Sequence, residues 1–178
     1  MNGKIIAAAL VVPALMVGAA VYYLQVYGYY RDVAPNGSDD VTLVNAETGE
    51  AEVIPYADFR AIDADSSPIR YRACFTTTLG EAALAETYQD YPEAEPLIAP
   101  GWFGCFDAEE IGGALEDGGA MAFLSKPEVH YGIDRVVAIL PDGRGFAWNQ
   151  INRCGTVVFD GNPAPEGCPE PPDGVARQ

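Results

Sequence analysis

Four cysteines, Cys74, Cys105, Cys154 and Cys168, are the residues of this chain whose types and spacing most readily suggest chemistry. A thiolate can attack a substrate, bind zinc or close a disulfide. No pair forms C-x-x-C and no C-x-x-C-H occurs, so a thioredoxin-like redox site, a zinc knuckle and covalent haem have no support. An even number in an oxidising compartment reads as two structural disulfides. Of the three possible pairings we expect Cys154–Cys168, which closes "CGTVVFDGNPAPEGC" around its Pro/Gly-rich turn, together with Cys74–Cys105. In the chain-entropy model such loops contribute about 3 and about 3.7 kcal/mol.

The remaining candidates are weaker. The single histidine, His130, would need an oriented partner and a nucleophile to serve as a general base. Ser66, Ser67 and Ser125 lie in no G-x-S-x-G context, so we read His130 as a hydrogen-bonded packing residue. In "DADSS" (63–67), Asp63, Asp65 and Ser67 alternate as in a calcium loop, but Pro68 and Cys74 stand where that loop needs glycine and glutamate. The stretch reads as a turn before a strand. Glu109-Glu110 and Glu116-Asp117 fall on a short helix as a solvated face. No catalytic, cofactor-binding or metal-binding set is expected. Arg60, Arg70, Arg72, Arg135, Arg144 and Arg153 are expected to pair with carboxylates. Trp102, Phe103, Phe106 and Trp148 are candidate interface anchors, but core packing is the preferred reading for each.

Charge narrows the partners. The chain carries all 26 of its acidic residues, and nine of its ten basic ones, after residue 30, which leaves that part at a formal −17. Such a surface repels phosphate backbones, so nucleic-acid binding is excluded as a function class. It attracts basic partners instead.

These residues hang from an unusual N-terminus. Residues 5–30, "IIAAALVVPALMVGAAVYYLQVYGYY", run without a charge, long enough as a helix to cross a bilayer. Tyrosines gather at its end, as aromatic residues do at a membrane interface, and Lys4 with the amino terminus marks the cytoplasmic side. A cleavable signal peptide, with Gly18, Ala19 and Ala20 at the cut, is the competing reading. It is disfavoured because the apolar run continues for ten residues beyond. Ala14 and Gly18 share a face on which another helix could approach closely, and Gln25 could hydrogen-bond across to it.

The expected organisation is a transmembrane anchor (1–30), a linker (31–40), an α+β domain (41–161) and a Pro-rich tail (162–178). Within the domain, 41–55 reads as a hairpin turning at Glu47-Thr48-Gly49. Residues 68–78 alternate as a strand, with Tyr71, Ala73 and Phe75 on one face and Arg70, Arg72 and Cys74 on the other. Residues 79–91 read as a helix, and Asp107 caps another that stops at Gly118-Gly119. Residues 120–125 read as a short buried strand, 132–140 and 145–152 as a hairpin around "PDGR", and 156–161 as a last strand. About six strands and two short helices predict a mainly antiparallel sheet.

With "DADSSPIRYRACF", "APGWFGCFDAEEIG", "YGIDRVVAILPDGRG" and "INRCG…VFDG…GCP" in view, the chain resembles a family of uncharacterised, singly anchored proteins of Rhodobacter-like alphaproteobacteria over nearly its whole length. The resemblance implies a bacterial inner-membrane protein with a periplasmic domain and brings no catalytic residues. The expected function is that of a non-enzymatic accessory subunit of an inner-membrane, respiratory electron-transfer complex. Its anchor would join the integral membrane proteins, and its acidic domain would attract a basic c-type cytochrome. The alternatives are a transient assembly factor of such a complex, or a periplasmic enzyme using His130.

Overall fold

An apolar run of this length, rich in alanine, satisfies its backbone as a helix, and α1 (Gly3–Tyr23) is that helix. The computed structural model describes residues 2–175, so expectations for the amino terminus and for residues 176–178 of the tail fall outside the described residues. Pro13 is accommodated within α1, leaving the Ala9 carbonyl without its usual intrahelical donor. A π-helical turn, Leu24–Gly28, ends the segment. Gly3–Gly28 is long and apolar enough to cross a membrane, and none of its residues is buried.

The domain that follows is a six-stranded antiparallel sheet in the order β1-β4-β5-β8-β7-β6. Its strands are β1 (Arg31–Val33), β4 (Ala57–Asp63), β5 (Arg72–Thr76), β6 (Met121–His130), β7 (Ile133–Ile139) and β8 (Arg144–Ile151). A separate hairpin, β2 (Thr42–Val44) and β3 (Ala51–Val53), forms where the turn at Gly49 was expected. The fold class read from the sequence therefore holds: an apolar N-terminal helix, a mainly antiparallel sheet and two disulfides, here with four helices in all among the described residues.

Both faces of the sheet are covered, which is why residues 136–139 of β7 read as a continuous apolar run rather than an alternating one. Tyr71, Ala73, Phe75, Val137, Ile139 and Ala147 pack on one face against Leu43 and Ile54 of the hairpin and Leu84 of α2 (Glu81–Thr87). Cys74, Val136, Ala138, Phe146 and Trp148 pack on the other against Phe103, Phe106 and Ile111 of α3 (Ala108–Glu116). The predicted alternation through 71–75 is thus realised, with each parity entering its own core. Asp107 caps α3 by accepting from the Glu109 and Glu110 amides, and Gly118 follows the helix at positive φ.

Four expectations are corrected. The helix over 79–91 stops at Thr87, because the next residues pair with two strands: the Gln89 amide donates to Val44 and the Gln89 carbonyl accepts from Leu124. Tertiary pairing overrides helix propensity there. Residues 31–40 are not all linker, since Arg31–Val33 adds an edge strand to β4. β4 itself was missed, its pattern being broken by Asp58 at φ 53 and a register shift beside it. Finally, the strand expected at 156–161 is a helix, α4 (Arg153–Phe159), capped by the Asn152 side chain accepting from the Gly155 amide. Gly132 and Gly155 explain its seating: a Cβ on Gly155 would stand 2.2 Å from the Gly132 carbonyl oxygen, so α4 lies directly on the β6–β7 turn.

Candidate functional site

Three places combine chemistry-bearing residues: the junction of α1 with the domain, the surroundings of His130, and a buried polar network behind the β6–β7 turn. The cysteines are accounted for first. Cys74–Cys105 and Cys154–Cys168 are bonded, and among the described residues no thiol is free. The first ties β5 to the loop before α3; the second holds the tail to α4.

At the junction the last carbonyls of the apolar segment would ordinarily lack donors. The domain supplies them. The Trp102 indole N–H donates to the Val26 carbonyl at 2.7 Å. Arg70 donates from Nη1 to the Gln25 carbonyl at 3.1 Å and from Nη2 to its Oε1 at 2.8 Å. Trp102 also stacks with Tyr27 at 6.3 Å between centroids and meets Tyr30 edge-on at 5.9 Å, while Arg70 lies over the Tyr30 ring. Gln25, expected to hydrogen-bond to another helix, has its side-chain oxygen taken by Arg70 of its own chain. Of the candidate interface anchors, Phe103, Phe106 and Trp148 follow the preferred reading of core packing, since all three are buried among apolar neighbours. Trp102 alone of the four remains partly exposed, and what it covers is the helix end. Ala14 and Gly18 lie on the exposed α1, and a Cβ on Gly18 would meet nothing within 4 Å.

His130 ends β6 and is exposed, not packed as expected. It stands at the rim of a cavity of about 670 Å³ with Ser67 and Tyr131, against apolar walls from Ile69, Ile133, Ile151 and Phe159. Among the described residues no ion pair or side-chain hydrogen bond orients the imidazole. A general base without an oriented partner or nucleophile is the chemistry available there.

The arginines divide in a way the sequence did not indicate. Arg144 pairs with Asp142 and Glu110, and Arg31 with Asp63 and Asp65, so the calcium-like "DADSS" is spent on an arginine. Among the described residues no group of three acids, histidines or cysteines is placed to hold a metal. Among the described residues Arg72 has no carboxylate partner: it donates to the carbonyls of Ile69, Tyr71, Leu97 and Ile98 and lies over Phe106. Burial lowers its pKa to about 10, still far above neutrality, so it stays charged. Arg135 likewise rests on an aromatic ring, Tyr71, at 3.6 Å and donates to Asn149, with burial lowering its pKa.

Behind the β6–β7 turn the buried Asp134 accepts from the Tyr91 hydroxyl, the Glu128 amide and the Asn152 amide group. Burial first, and then the Asp134 charge, push the Tyr91 phenol upward. Glu128, at φ 49, returns the favour by accepting from Gly132 N and Asn152 Nδ2. This closed set fixes a turn. Neither it nor the junction was visible in sequence, because each depends on residues 18 to 76 positions apart.

A small, two-disulfide α+β domain carried on an apolar helix is the class these features define. The chain belongs to a family of unknown function (DUF6446), which matches residues 41–169 and so includes β2 through both disulfides. No curated protein and no solved structure matches it.

Proposed function

We propose that the chain is a non-enzymatic accessory subunit of an inner-membrane complex, with its amino terminus cytoplasmic and its disulfide-bonded domain periplasmic. The observation that carries this reading is α1 itself. Its apolar surface is exposed along its whole length, the hydrogen bonds from the domain reach the π-helical turn that follows it, and Gly18 leaves an open approach beside Ala14. Lys4 and the tyrosines at the opposite end support the orientation, and two disulfides suit an oxidising compartment. The acidic domain supports a basic soluble partner, and a c-type cytochrome reaching a respiratory complex is the case proposed.

The test is purification of the tagged full chain in mild detergent, with co-purifying subunits quantified by mass spectrometry. A fixed stoichiometry with one membrane complex is the expected result, while a chain that purifies alone would sink the proposal. Substoichiometric, transient recovery would favour an assembly factor instead. The cavity beside His130 favours a second reading, a periplasmic enzyme, whose mark would be a turnover lost in His130→Ala with the fold unchanged.

A further inference from the structure

We propose that the domain sits directly on the lipid surface, with loop 97–102 entering the headgroup layer through Ile98 and Trp102, and with Arg60 and Arg70 contacting anionic lipid phosphates. The inference rests on α1 spanning the membrane and adds to that reading a defined face of the domain.

The junction limits how far the domain can stand off. Trp102 and Arg70 hydrogen-bond to Val26 and Gln25, which lie within the apolar segment itself and not beyond it. Whatever surface carries those two side chains is therefore at the depth where the helix leaves the bilayer. Tyr22, Tyr23 and Tyr27 occupy the same level, and Trp102 stacks on the last of them. An indole with an apolar body and a hydrogen-bonded N–H is the side chain such an interface favours.

The loop is held, not slack. A buried guanidinium, that of Arg72, donates to the carbonyls of Leu97 and Ile98. Yet the Ile98 side chain so presented is 84% exposed. A lone exposed isoleucine is unremarkable on a soluble surface. One clamped by a buried charge, a few residues from a tryptophan bonded to a membrane helix, has an apolar medium within reach.

Charge agrees. Arg31, Lys126 and Arg144 are matched with acids. Arg60 and Arg70, by contrast, have no carboxylate among the described residues: Arg70 lies over Tyr30 beside the helix end, and Arg60 lies over Phe103, which meets Trp102 edge-on. In a domain of formal charge −17, two unmatched guanidinium groups next to the anchor would face phosphate oxygens, which accept from arginine well.

The experiment reconstitutes the full chain, bearing Trp102→Phe and Ile98→Trp, into phosphatidylcholine vesicles with and without phosphatidylglycerol. Spin-labelled lipids carry the quencher in the headgroup, at a shallow acyl position or at a deep one. Trp148, buried in the core, supplies a constant unquenched background measured from Trp102→Phe alone. The expected result is strong quenching at position 98 by headgroup and shallow labels and little by the deep one. Arg60→Glu with Arg70→Glu should abolish the increase brought by phosphatidylglycerol. Vesicles that float with the protein through alkaline carbonate, yet leave position 98 unquenched, would overturn the lipid seat and leave the anchor intact. Protein that fails to float overturns the anchor and the seat with it. Trp102 emission in the otherwise native chain, measured against the same lipids, serves as a second reading should Ile98→Trp fold poorly; its remaining unquenched also overturns the seat.

Discussion

At the residue scale the most exacting positions are polar. Asp134 is a buried acceptor for three donors, so Asp134→Ala strands the Tyr91 hydroxyl, the Glu128 amide and Asn152 together. Losing a buried hydrogen-bonded charge in this way costs about 3 kcal/mol, and Asp134→Asn should cost less because an amide oxygen in the Oδ1 position still accepts from Glu128 and Asn152. Denaturant unfolding of the full chain in detergent measures both; equal losses would mean that charge, not hydrogen bonding, is the function of this side chain. A second residue-scale expectation concerns acid. Burial opposes ionisation of Asp40, yet the Asn36 amide, the Tyr56 hydroxyl and the Gly37 amide, all donating to it, hold its carboxyl below the usual range. Its contribution is therefore complete above an unfolded pKa near ~3.9 and is lost as pH falls through the lower folded value. Chemical-shift titration of the Asn36 and Gly37 amides should show a midpoint under about 3.9; a midpoint above it would contradict these bonds.

At the element scale, α4 shows what holds the C-terminal part together. Gly155→Ala would push a methyl group into the Gly132 carbonyl and so lift the helix off the turn. We expect a loss of about 2 kcal/mol, the range for overpacking a closed contact, seen as a lowered midpoint of thermal unfolding. Replacing Cys154 and Cys168 by serine should release the tail with little change to the sheet, whereas losing Cys74–Cys105 frees the loop that roofs one core. By the chain-entropy relation the second loss is larger by about 0.7 kcal/mol before packing is counted. Elements whose signal is local were legible in the sequence: the apolar run of α1, the Asp107 cap, the hairpin around "PDGR", and the disulfide pairing suggested by the turn between Cys154 and Cys168. Those decided by distant partners were not. β1 is three residues long and gains its identity only from β4. The β-branched "TVV" of α4 favours a strand, and an asparagine cap with a glycine contact decides otherwise. The candidate site suffered most, because Arg70 and Trp102 meet the helix across 45 and 76 residues.

At the scale of the whole molecule, the proposed partnership has its own variants. A Cβ at Gly18 would meet nothing within 4 Å, so Gly18→Leu should fold and insert as before. Co-purification with a membrane complex should fall sharply, and unchanged recovery would dismiss the Ala14–Gly18 face as the contact. A basic soluble partner should bind more weakly as ionic strength rises past the point where the Debye length shrinks to about 8 Å. Binding indifferent to salt would remove the role given to the acidic surface.

The edge strand β1 leaves the anchor after only Tyr29 and Tyr30, and its pairing with β4 covers three residues. A tether pulling on so short a strand would peel it, one hydrogen-bonded rung after another, as a zip opens from its end. The Trp102 and Arg70 bonds to Val26 and Gln25 lie upstream of that strand and bridge to the loops that precede α3 and β5. Tension on the helix would thus reach the sheet by two routes in parallel, with the weaker route shielded. The domain can follow the lateral and tilting movements of its helix as one body.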